Sequence, residues 1–170
     1  MQSQNIDSIK TIFQSRLTTL EHLLKSAQTH FSGSESFLQK RIVADMLPFG
    51  TQLAFTCNQP RNFALWCDGK PMDNLEPEVT SLPLAYAHIA NTKELIASID
   101  VEDIKIDEVT RIDIGEGAYI ELPGSNYVHE FLMPNFYFHL VTAYDILRMA
   151  GVSIGKRDYM MHLMPFVKKA

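Results

Sequence analysis

Asn135 and His139 are the residues of this chain whose types and spacing come nearest to a ligand pair. Side chains four residues apart on a helix lie one above the other on one face. An amide oxygen and an imidazole placed this way can reach one ion, although the amide is neutral and a weaker ligand than a second imidazole. Asp45, a carboxylate amid the apolar run Ala44-Asp45-Met46-Leu47-Pro48, is the third candidate. Converging, the three would offer one carboxylate, one amide oxygen and one imidazole. The same residues also describe a hydrogen-bonded cluster, which is the simpler reading of this spacing. In that case His139 bonds a carbonyl or Asp45, and Asn135 relieves backbone groups freed by Pro134. His22, His30, His88, His129 and His162 have no partner at ligand spacing and read as ordinary surface or core residues.

Nucleophilic chemistry has less to work with. Cys57 and Cys67 are the only thiols. On one continuous helix they would stand about 15 Å apart along the axis, beyond the roughly 7 Å that a disulfide allows between Cα atoms. No Cys-x-x-Cys spacing suggests zinc, and free, buried thiols are the expectation. There is no Gly-x-Ser-x-Gly or phosphate-loop pattern. Gly115-Glu116-Gly117 reads as a turn. Tyr144, Asp145 and Arg148 could line a cleft, but Asp145 and Arg148 read more simply as a surface ion pair.

The elements that must position these residues are mostly helical. Ile6, Ile9, Phe13, Leu17, Leu20, Leu24 and Ala27 recur at steps of three and four, which predicts a helix over 6–30. Asn5 or Asp7 caps its start, and Gly33 lies just past its end. Ser34 or Ser36 opens a second helix that carries Phe37, Ile42, Val43, Met46, Leu47, Leu53, Ala54 and Cys57. Pro48 predicts a kink near Ala44–Met46, Pro60 repeats the problem, and Asp68-Gly69-Lys70-Pro71 stops the helix. A loop over 70–77 leads to a third helix over 82–99, with Pro83 in its first turn. The period then changes to two. Residues 110–114 and 118–122 alternate around the Gly-Glu-Gly turn, which predicts a hairpin. A fourth helix follows Gly124-Ser125, with Ser125 as cap, and runs through Pro134 to Ala150. The last segment, 152–170, is too apolar for a free tail and is expected to pack on the bundle or on a second subunit. All of 1–170 reads as one all-α domain, a four-helix bundle with a small β-hairpin inserted before the last long helix.

Composition narrows the partners. The 170 residues carry a net charge of −5, with 46% hydrophobic and 21% charged residues, an ordinary globular balance. Nucleic-acid binding would need a local basic patch, and Lys40-Arg41, Lys156-Arg157 and Lys168-Lys169 are short and scattered. No apolar run approaches a membrane span. Met1–Asn5 shows no secretory pattern, so the cytoplasm is the expected location.

Two stretches carry a resemblance. One is Asp45-Met46-Leu47-Pro48. The other is Pro134-Asn135-Phe136-Tyr137-Phe138-His139 followed by Ala143-Tyr144-Asp145-Ile146-Leu147-Arg148, Gly151-Val152 and Gly155-Lys156-Arg157-Asp158-Tyr159. Together they resemble a bacterial branch, of unknown function, of the DinB/YfiT-like superfamily, and the likeness covers nearly the whole chain. It implies the DinB-like four-helix bundle and a homodimer. Members of the wider superfamily carry three metal-binding histidines, one on the second helix and an HxxxH pair on the last. Counted back from Leu147-Arg148-Met149-Ala150-Gly151, His139 matches the second histidine of that pair. Asn135 takes the place of the first, and Asp45, with Gln52 as fallback, matches the helix-two ligand. Relatives include thiol-dependent transferases or isomerases and proteins resembling metal-dependent hydrolases. Two readings follow for this chain. One is a non-catalytic or small-molecule-binding bundle with a degenerate metal site, its pocket lined by Gln52, Phe136, Tyr137 and Tyr144. The other is an enzyme using a divalent metal (zinc, nickel or manganese) on Asp45, His139 and Asn135.

Overall fold

The computed structural model describes residues 6–168. Asn5 and Lys169, named above as a cap and as part of a basic cluster, lie outside the described residues. Helix α1 spans Ile6–His30, and its buried side chains include each of the seven residues of the predicted stripe. Its first amide, Ile6 N–H, donates to Asp103 Oδ1 at 3.0 Å, so a carboxylate distant in sequence satisfies one of the orphan donors of a helix start.

The second helix is shorter than expected. Glu35–Gln39 forms one 3-10 turn, residues 40–48 are irregular, and α2 runs from Phe49 to Cys67. The apolar pattern through Ile42, Val43 and Met46 suits a helix, but Pro48 does not. It offers no amide, and its ring would press on the carbonyl of Ala44. The chain resolves the conflict by starting the helix after Pro48, which is extended at the cap position, instead of kinking through it. Asp45 is thereby moved off the helix onto an exposed loop. Further on, α2 continues without a break through Pro60. It ends as predicted: Gly69 has φ +67°, and Lys70 N–H returns to the Leu65 carbonyl at 2.8 Å.

Two buried asparagines of α2 hold the strap that leads to the next helix. Leu75 N–H donates to Asn58 Oδ1 at 2.8 Å and Asp73 N–H to Asn62 Oδ1 at 3.1 Å. Asn62 Nδ2 donates to Asn74 Oδ1 at 2.9 Å. Helix α3, Leu82–Ala97, has Pro83 in its first turn. Its Leu82 amide donates to Glu35 Oε1 at 2.7 Å, which fastens the 3-10 turn to the start of α3.

Strands β1 (Val109–Gly115) and β2 (Ala118–Pro123) pair antiparallel with Ile112 opposite Ile120. Trp66 Nε1 donates to Thr110 Oγ1 at 2.6 Å and ties the hairpin to α2. The last long helix has three parts. They are a first turn α4 (Gly124–Asn126), a π-helical stretch Tyr127–Leu132, and α5 (Met133–Met149). Ser125 falls inside that first turn and does not cap it; the cap position belongs to Pro123. The wide π turn precedes Pro134, the residue that brings no amide. At this joint Met133 N–H reaches back five residues to the Val128 carbonyl. The helix stops at Gly151, φ +88°, with Val152 N–H on the Leu147 carbonyl at 3.0 Å. Arg148 does not pair with Asp145. Its Nη1 donates to the Ile154 carbonyl at 2.5 Å and clamps the turn beyond the helix. The family-like Leu-Arg-x-x-Gly pattern is thus a built helix stop.

Helix α6 (Lys156–Tyr159) and a 3-10 turn over Met161–Phe166 fold back on α1. Asp158 fastens them there, taking His22 Nε2–H on Oδ1 at 2.8 Å and the Gly155 amide on Oδ2 at 2.8 Å. The molecule is an all-α bundle of four long helices with one hairpin, and α2 packs against both α5 and α3. Among the described residues, no helix is long and apolar enough to cross a membrane.

Candidate functional site

The three residues predicted from spacing do not converge: Asn135 and His139 stand one turn apart on α5, and Asp45 lies on the loop before α2. On the face toward α2, His139 meets Gln52, the fallback residue, at 2.8 Å from Nδ1 to Oε1. Gln52 is 2% exposed. Its Nε2 donates to the Leu47 carbonyl at 3.2 Å, which orients the amide so that Oε1 faces the ring. An amide oxygen only accepts, so Nδ1 carries the proton and Nε2 holds the lone pair. The edges of Phe55 and Phe138 enclose the imidazole, with ring centroids at 5.2 and 5.1 Å. Burial in this apolar setting lowers the His139 pKa to about 4, and the ring is neutral at pH 7.

Asn135, one turn earlier, spends its Nδ2 on the Phe131 carbonyl at 2.7 Å. It supplies a donor at the joint where Pro134 has none. Asp45 is exposed and, among the described residues, makes no hydrogen bond or ion pair with Asn135 or His139. Two neutral atoms therefore remain for an ion, His139 Nε2 and Asn135 Oδ1. Among the described residues no three His, Cys, Asp or Glu side chains are gathered to hold a metal. The side chains here do not fit the three-ligand site that the resemblance implies.

The expected pocket residues separate as well. Phe136 is fully buried, edge-on to Phe13 at 5.0 Å, and is part of the core. Tyr137 points the other way from His139. It lines a small cavity of about 240 Å³ together with Arg16, Tyr159, Met160 and His162. Tyr144 packs against Tyr159 at 5.9 Å. Spacing arguments missed Arg16 and His162. The available signal was Arg16 itself, a charge bordering the apolar stripe of Phe13, Leu17 and Leu20. Cys57 and Cys67 lie on α2 as free, buried thiols. Burial pushes both pKa values up to about 12, which leaves no thiolate nucleophile at neutral pH.

The low His139 pKa has a consequence for acid stability. The unfolded chain takes up this proton near 6.5, but the folded chain resists until about 4. Between those values the unfolded state binds more protons, so stability rises with pH and is lost as pH falls below 6.5. From this residue alone, the drop from pH 7 to 4.5 is expected to be on the order of 2 kcal/mol. Urea midpoints at both pH values, compared with those of His139→Gln, measure it. A variant as acid-sensitive as the parent would place the effect elsewhere.

Helix order, hairpin position and helix stop define the class: this is a DinB-like bundle. A crystal structure of a DinB family member protein from Shewanella denitrificans matches with a TM-score of 0.76 over 89% of this chain and 88% of that one. At 24% identity the likeness is one of fold. Within that class, the chain belongs to the family described as domain of unknown function DUF1993, whose model matches residues 7–160. No curated protein matches the chain.

Proposed function

We propose that this chain is a non-catalytic, small-molecule-binding bundle in which the metal site of the wider superfamily is degenerate. One observation carries the reading. The position of the superfamily's second histidine, His139, is bonded to a buried glutamine, and the first position is an asparagine whose side chain is bonded to the Phe131 carbonyl one turn earlier. A polar cluster of this kind specifies packing between α2 and α5 without an ion. The cavity beside Tyr137 is where a small molecule would enter.

Metal analysis and thermal melts of protein purified without a histidine tag test this. The expected results are no stoichiometric metal and no shift in Tm with zinc, nickel or manganese. His139→Ala is expected to cost about 1–3 kcal/mol of stability, because it strands the Gln52 oxygen in the interior. One bound equivalent of metal, lost in His139→Ala, would overturn the reading. It would support the alternative, a divalent-metal-dependent enzyme using Asp45 and His139. That alternative is favoured by the lone pair on Nε2, which the Nδ1–H bond to Gln52 aims outward as partners of metal-binding histidines do.

Self-association belongs to the same proposal. The final turn leaves Leu163, Met164, Phe166 and Val167 exposed, Phe166 at 76%, and such clustered apolar side chains favour a partner surface. Light scattering is expected to give twice the 19.3 kDa of one chain; a monomer mass would refute the homodimer.

A further inference from the structure

The cavity between α1, α5 and the C-terminal turn contains a chemical imbalance. Arg16 reaches it from α1, Tyr137 from α5, and Tyr159, Met160 and His162 from the segment folded over α1. Two nitrogens in this group, Arg16 Nε and His162 Nδ1, are buried without a hydrogen-bond partner. The guanidinium donates from Nη1 to Ser15 Oγ at 2.8 Å. Among the described residues no carboxylate pairs with it, whereas Arg61 has Asp73. Burial and then the neighbouring Arg16 charge lower the His162 pKa, and the nearby Tyr159 carbonyl offsets them only in part; it makes no well-formed bond to Nδ1. Neither tyrosine hydroxyl bonds to protein among the described residues. A buried guanidinium N–H without a partner is costly even where the rest of the arginine is half-buried, and native structures normally supply it with an acceptor.

The missing acceptor can be described from its surroundings. A guanidinium offers parallel N–H groups that match a carboxylate fork. The imidazole and the two phenols offer further donors around it. Met160 and the tyrosine rings supply an apolar wall suited to a hydrocarbon or aromatic body. At roughly 30 Å³ per water, the cavity holds about eight waters, the bulk of a benzoate or a hexanoate. The geometry points to a binding site for a small organic carboxylate, its head on Arg16 and His162 and its body against Tyr137, Tyr159 and Met160. This inference rests on the small-molecule reading above and names the ligand class for it. It does not involve the Gln52–His139 face.

Calorimetric titration of the full chain with sodium benzoate and sodium hexanoate tests it, with benzamide as the neutral isostere and inorganic phosphate as an anion without a body. The expected result is saturable 1:1 binding of at least one carboxylate. Benzamide is expected to bind at least about tenfold more weakly, as loss of a charge-assisted contact requires. Arg16→Gln is expected to lose binding to a similar extent, and Arg16→Lys, which keeps the charge but not the fork, to fall between. Circular dichroism establishes that each variant is folded; should Arg16→Gln fail to fold, Arg16→Lys and Tyr159→Phe carry the comparison. Equal binding of benzamide would overturn the carboxylate assignment and leave the small-molecule reading standing. Phosphate binding at least as tightly, or an unchanged affinity in the folded arginine variants, would overturn it too. No saturable heat from any probe at millimolar concentration would overturn both.

Discussion

Replacing Gly50 with alanine is expected to destabilise the protein by about 3 kcal/mol or more, the upper range for overpacking. Helix propensity alone argues the other way, because alanine is favoured over glycine inside a helix by about 1 kcal/mol. Sterics decide the sign. A Cβ on Gly50 would overlap the Val79 carbonyl oxygen and stand 3.1 Å from Val79 Cβ and 3.3 Å from the Leu38 carbonyl oxygen. Two of those three atoms are backbone, and they belong to segments fixed from elsewhere. Val79 precedes the α3 start that Glu35 holds through Leu82, and Leu38 lies in the same 3-10 turn as Glu35. The site has nowhere to give. A urea midpoint at or above that of the parent would show that α2 can slide away from the strap.

Phe136→Ala is expected to cost about 3–5 kcal/mol, the usual range for deleting a buried aromatic ring. The ring is fully buried, edge-on to Phe13, which in turn packs against Phe63 at 5.6 Å. The deletion therefore opens a hole where α1, α2 and α5 meet. This loss is a large fraction of the stability of an ordinary domain, and a thermal or urea melt reads it directly. A loss below about 1 kcal/mol would mean that the core collapses around the hole. It would then be compatible with Phe136 as the pocket residue that its sequence neighbours suggest.

Local signals made much of this fold legible. The stripe of α1, the Pro83 start of α3, the period change at the hairpin and the Gly69 and Gly151 stops each follow from a residue acting on its own neighbourhood. The failure over 40–48 has a definite cause. Ile42, Val43, Met46 and Leu47 satisfy a helical period, and one proline outweighs them because its ring and missing amide act on the preceding turn. That single conflict moved Asp45 from a helix to a loop and removed the carboxylate from the expected ligand set. The pairing of His139 was half legible. Spacing placed it over Asn135, but choosing Gln52 over Asp45 required knowing where α2 begins. The Arg16 cavity was not legible at all, because it exists only once the C-terminal turn has folded over α1, and that return is set by the distant contact between Asp158 and His22.

The strap between α2 and α3 has almost no regular structure and is mostly exposed, features that ordinarily mark a segment able to open by itself. Its amides at Asp73 and Leu75 nevertheless end on the carbonyl oxygens of Asn62 and Asn58, which are 4% and 3% exposed. Opening the strap would leave two interior amide groups without partners, a penalty close to that of disturbing α2 itself. Hydrogen exchange at those two positions should therefore follow global unfolding and not local fraying. The strap behaves as an outlying part of the helix that holds it, joined to the same cooperative unit by side chains in place of a backbone ladder.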